Sequence, residues 1–224
     1  MVMSFFRKGD SGLDSVAHRT ITMLGDARHS FDLASGAVLT GAEVESVAAD
    51  IRATDDRINR AEQELRGELV THVAVHGSFD IGSVLSYTLL IKKLERIGDQ
   101  AKNVLELAEE GVTLEDQPDT PEMLETSQVI SSMIAETAEL LTSEDPDSIA
   151  DFRVRTDALR YELETKIREL MHSSEPASYA VPRAILYRYW KRIVANLSGV
   201  VTSATEPLQN QDYLDDGTTD IDDD

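Results

Sequence analysis

Apolar and small residues recur at three- and four-residue steps along most of the chain, the spacing that lays one buried stripe along an α-helix. Leu13, Val16, Thr20, Met23, Ala27, Phe31, Ala34 and Val38 mark the first stripe. After Thr40-Gly41 the pattern restarts at Val44, Val47, Ile51, Thr54, Ile58, Ala61, Leu65 and Leu69, and it stops near His76-Gly77-Ser78. A third stripe begins near Asp80 and runs through Val84, Thr88, Ile91, Leu94, Gly98, Ala101, Leu105 and Ala108 to Gly111, a typical residue just past a helix end. Three long helices joined by short turns predict an antiparallel bundle.

The acidic, proline-containing stretch from Gly111 to Pro121 then reads as a connector. Thr120-Pro121 and Asp145-Pro146 each set a capping residue before a proline suited to the first helical position. They predict helices ending near Leu141 and His172, and the turn Ser173-Ser174-Glu175-Pro176 leads to a sixth helix over roughly 181–203. No segment reads as a strand, and the order of three helices, connector, three helices suggests a degenerate internal repeat. The expected fold class is therefore all-α, with two antiparallel three-helix bundles in tandem. The expected domains are a first bundle over 1–111, a linker over 112–120, a second, degenerate bundle over 121–205 and an acidic tail over 206–224.

Charge and composition narrow the function. Among 224 residues there are 42 acids against 21 bases, a formal net charge of −21, and no cysteine. That balance repels a phosphate backbone and argues against nucleic acid as a partner. Without cysteine there is no disulfide, thiolate metal site or cysteine nucleophile. No apolar run approaches the roughly 18–20 residues of a membrane span. The opening Met1-Val2-Met3-Ser4-Phe5-Phe6-Arg7-Lys8 lacks the longer apolar core of a secretory signal, so the cytoplasm is expected. Part of the negative charge is local, since Glu206 to Asp224 carries eight acids and no base and reads as a disordered tail.

The residues that could carry chemistry lie on the second and third helices. Glu95, Asp99 and Asn103 stand four apart and share one helix face, and Asp55, Asn59 and Glu62 form a matching row. An antiparallel turn near Ser78 sets Glu62 level with Glu95, Asn59 with Asp99 and Asp55 with Asn103. Two readings stand. Convergent carboxylates can hold a hard cation such as iron, manganese, magnesium or calcium. Alternatively Arg57, Arg60, Arg66, Lys92, Lys93, Arg96 and Lys102 neutralise them as a solvated face of ion pairs, each worth about 0.2–0.5 kcal/mol. Gly98 in mid-helix costs about 1 kcal/mol relative to alanine, and its place on the apolar stripe implies a close approach by another helix. His72 and His76, one turn apart, could share a metal in principle but read rather as capping, packing or solvent-exposed residues. No Gly-x-Ser-x-Gly elbow, phosphate-cradling loop or dinucleotide fingerprint is present, and nothing argues for catalysis.

The string Leu94-Glu95-Arg96-Ile97-Gly98-Asp99, with Ala101, Lys102 and Asn103, resembles the signature of the PhoU family of phosphate-uptake regulators. Asp55-x-x-Ile58-Asn59-x-x-Glu62 resembles its second-helix motif, and Phe6-Arg7-Lys8 is similar to the opening of some members. The resemblance implies two three-helix bundles and metal clusters, of iron, manganese or zinc, at E(D)-x-x-x-D motifs. Glu95, Asp99, Asp55 and Glu62 are then the expected metal ligands, with Asn59 and Asn103 as weaker candidates. The second half departs from that pattern, because Trp190-Lys191-Arg192-Ile193-Val194-Ala195-Asn196 puts lysine and alanine where the acids stand. There a Glu164–Lys191 ion pair and no metal are expected.

The resemblance further implies a non-enzymatic adaptor in phosphate uptake and phosphate-starvation signalling, whose partner is a phosphate transporter subunit or a membrane sensor histidine kinase. Its expected place is peripheral, at the inner membrane face through a transporter. An accessory subunit of a low-affinity phosphate transporter is one alternative, and a metal-dependent phosphohydrolase, in which two metals activate water, is another of a different class. Tyr187, Tyr189 and Trp190 cluster on the sixth helix and suggest a homodimer if they face outward.

Overall fold

A computed structural model describes residues 11–77, 80–206 and 208. Among them the chain forms six helices and no strand: α1 (Ser11–Leu39), α2 (Val44–His76), α3 (Ile81–Glu109), α4 (Thr120–Ser143), α5 (Pro146–Met171) and α6 (Ala177–Thr205). The helix ends follow local chemistry. Gly77 closes α2 with φ of 73°, a backbone state that costs a side-chain-bearing residue energy, and its N–H donates to the Val73 carbonyl. Asp145 caps α5 by accepting a hydrogen bond from the Ser148 N–H at 2.9 Å.

Two starts differ from expectation. Asp119, not Thr120, occupies the cap position of α4. The Thr120 hydroxyl is spent on the connector, where it donates to the Leu114 carbonyl and accepts from the Gln117 N–H. The sixth helix begins at Ala177, four residues before Val181, and carries Pro182 inside. Pro182 lacks an N–H, which forfeits one helical hydrogen bond near the start of α6. The following residue anchors that turn. Buried Arg183 makes a two-pronged ion pair with Asp119 at 2.7 and 2.9 Å, and its guanidinium lies 3.7 Å from the centre of the Tyr179 ring.

Helices α1, α2 and α3 all touch one another and form a closed bundle. In the second half α4 and α5 each pack on α6 and are tied together by Glu136–Arg155 and Glu122–Lys166 ion pairs. The halves are joined along their lengths, α3 against α6 and α1 against α4. One apolar core consequently runs from Val16 to Ala204. The expected aromatic surface on α6 is part of that core: Trp190 is fully buried, Tyr187 is buried, and the two rings meet edge to face at 5.8 Å. Only Tyr189 of the three is half-buried, so this cluster supplies no exposed dimer face. The acidic tail from residue 207, except residue 208, and the opening Phe6-Arg7-Lys8 lie outside the described residues.

Candidate functional site: the carboxylate seam between two helices

The seam is set by how closely α2 and α3 approach. A Cβ added to Gly98 would stand 3.0 Å from Cδ1 of Ile58, a fully buried residue of α2, so the missing side chain is what lets the helices meet. At that separation two lysines of α3 each reach an acid of both helices. Lys92 sits between Glu95 and Glu62, its Nζ 2.6 Å from Glu95 Oε2 and 3.7 Å from Glu62 Oε1. Arg66 adds a contact of 2.8 Å to the same Glu62 oxygen. Further along, Lys102 Nζ lies 2.8 Å from Asp55 Oδ2 and 3.7 Å from Asp99 Oδ1. Asn59 donates to Asp55 Oδ2 at 3.3 Å. Asn103 is half-buried and makes no side-chain hydrogen bond among the described residues.

Electrostatics follow from this placement. Glu62 and Glu95 are buried, Asp55 nearly so, and Asp99 is the most exposed of the four. Burial pushes the Asp99 carboxyl above the usual carboxylate range, repulsion from Glu95 and Asp55 adds to it, and Lys102 offsets part of it. The hydrogen bond to Asp55 holds the Lys102 ammonium above the ordinary lysine value. Among the bases offered by the sequence as counterions, Arg66, Lys92 and Lys102 serve the seam, whereas Arg57 turns to Asp26 of α1 at 2.9 Å.

Oxygen donors of this kind suit a hard metal ion by chemistry. Their arrangement does not. Among the described residues no three acidic or histidine side chains converge on one point, and the positions between the two rows are taken by ammonium groups. With Lys92 and Lys102 in place the seam does not fit a metal ion.

Comparison with known proteins places this geometry. The family model of the PhoU domain matches residues 20–108, which include every residue of the seam. This chain carries a PhoU domain. The fold agrees: the crystal structure of PhoU from Pseudomonas aeruginosa is similar with a TM-score of 0.73 over 87% of this chain and 95% of that chain, at 22% sequence identity. No curated protein matches the sequence.

Beyond the matched PhoU domain, the second bundle brings Lys191 and Glu164 together. Buried Lys191 donates to Glu164 Oε2 at 2.7 Å, and Arg168 reaches the other oxygen at 3.3 Å. The lysine, more than Arg168, holds the Glu164 carboxyl below its ordinary value. At the α2–α3 turn of the PhoU domain, His72 is buried, stacks on His76 with ring centres 4.4 Å apart, and faces Asp80 with Nε2 3.5 Å from Oδ2. That is a packing role at the turn. The Asp119–Arg183 pair escaped the sequence reading, because it joins a connector residue to a helix start far along the chain and leaves no periodic signal.

Proposed function

We propose that this chain is a non-enzymatic regulatory adaptor of phosphate uptake and phosphate-starvation signalling. It acts by contact with a phosphate transporter or a membrane sensor kinase, at the cytoplasmic side of the membrane. The PhoU domain supports the link to phosphate. Support for contact as the mode of action comes from the surface. In a chain with twice as many acids as bases, most described cations are spent on internal ion pairs, yet Arg96 on α3 and Arg188 and Arg192 on α6 are exposed and carry no ion pair among the described residues. They stand on two helices that pack along each other, and Leu85 and Leu89 of α3 are also exposed. Exposed arginines without ion pairs, on the same two packed helices that carry exposed leucines, suit an acidic, partly apolar segment of a partner protein. The carboxylates, by contrast, are engaged with lysine and arginine.

The test is genetic. Deleting the gene in its own organism is expected to raise phosphate uptake when external phosphate is plentiful. The wild-type gene should restore regulation, and an R188E/R192E variant with an unchanged circular-dichroism spectrum should not. Uptake that ignores the deletion would overturn the reading, and full restoration by the charge-reversed variant would remove the arginine surface from it.

A further inference from the structure

We propose that Lys92 and Lys102 are the resident cations of the α2–α3 seam, so that the PhoU domain of this chain folds and remains folded without a metal ion. Each lysine is used in the same way. Lys92 stands three residues before Glu95 and Lys102 three after Asp99, so each pairs with an acid of its own helix while reaching an acid of α2. One ammonium group carries a full positive charge and acts on both carboxylates as an ion pair, in close contact with one and across 3.7 Å with the other, although Glu62 Oε1 and Glu95 Oε2 accept no hydrogen bond among the described residues. Glu62 Oε1 and Glu95 Oε2 have no exposure to solvent, so their compensation must come from within, and Arg66 and Lys92 are the groups that face them. A divalent ion at the same point would stand against a like charge, and the ammonium group would have to leave first. The second bundle repeats the device, with Lys191 donating across to Glu164. Three lysines therefore hold acids across helix seams in both halves of one chain, a pattern of charge compensation that a metal site does not require.

The experiment uses untagged full-length protein treated with EDTA and dialysed, with metal content read by mass spectrometry and unfolding by circular dichroism. The wild type is expected to carry no stoichiometric metal and to keep its melting temperature after chelation. K92M/K102M should melt lower when metal-free, because the carboxylates have lost their counterions, and Mn2+ should raise its melting temperature while leaving the wild type unmoved. K92M/K102M/E95Q/D99N, which removes two acids along with the two lysines, should recover stability without metal; it separates lost charge from lost packing, and it decides the matter if the double variant does not fold. Stoichiometric metal surviving in the wild type, a fall in its melting temperature on chelation, a metal-free double variant as stable as the wild type, or a quadruple variant that stays unstable would each overturn the proposal.

Discussion

Lys191 shows how much one side chain decides. In the repeat expected from the sequence the matching position is Glu95, an acid paired with Lys92, whereas in the second half the lysine is the counterion and Glu164 accepts from it. Because the Glu164 carboxyl is held below its ordinary value, the pair contributes stability above the unfolded carboxylate pKa of about 4.3, and that contribution is lost as pH falls through the lower folded value. Lys191→Met keeps the length and apolar stem but removes the charge. It is expected to lower stability at pH 7 by about 1–2 kcal/mol, less than for a fully enclosed pair because Glu164 is about a quarter exposed. Urea unfolding at several pH values checks it, and the difference from wild type should shrink toward nothing once the pH has fallen through the lowered folded value of Glu164. A gap independent of pH would mean that packing, not charge, was lost.

Gly98 is the residue through which two elements fix their separation, and with it the register of the acid rows. Alanine there gains helix propensity but must push Ile58 aside by a few tenths of an ångström, so its net effect is expected to stay within about 1 kcal/mol. Gly98→Val is different, since two further methyl groups have nowhere to go in a filled core. A loss of about 2–3 kcal/mol is expected in chemical denaturation, and a neutral valine would show that α2 and α3 are not in close contact. The connector between α3 and α4 is likewise more than a tether. The Leu114 N–H donates to the Val38 carbonyl at 2.8 Å, its side chain is buried, and Thr120 closes the turn above it. Acidic and proline residues mark this stretch as a connector, but its docking depends on the end of α1, which no local pattern announces.

Across the whole molecule, the shared core and the charge make opposite demands. A single core through both halves calls for one cooperative unfolding transition, with α3 and α6 lost together. A net charge of −21 opposes compaction by self-repulsion. Raising sodium chloride from about 20 mM to about 1 M shortens the screening distance to roughly 3 Å. The melting temperature is then expected to rise by at least about 3 °C, or roughly 1 kcal/mol, in one transition. The ion pairs weaken in the same salt, so a falling melting temperature would mean that the pairs outweigh the repulsion.

Helix number and order, and the level pairing of Glu62 with Glu95, were determined by the sequence itself, since apolar periodicity and turn residues are local and two antiparallel helices leave little freedom of register. The acid rows were equally legible, because residues four apart must share a face. What occupies the space between them was not. The same spacing admits a metal or a set of ion pairs, and only the placement of Lys92 and Lys102 between the helices, with Arg57 drawn off to α1, chose among the available cations. Tertiary structure also turned Trp190 and Tyr187 inward, docked the connector on α1, and started α6 ahead of Pro182 through Arg183 and Asp119. Each of these rests on a contact between residues far apart in the chain, where burial and Coulomb attraction act and periodicity carries no information.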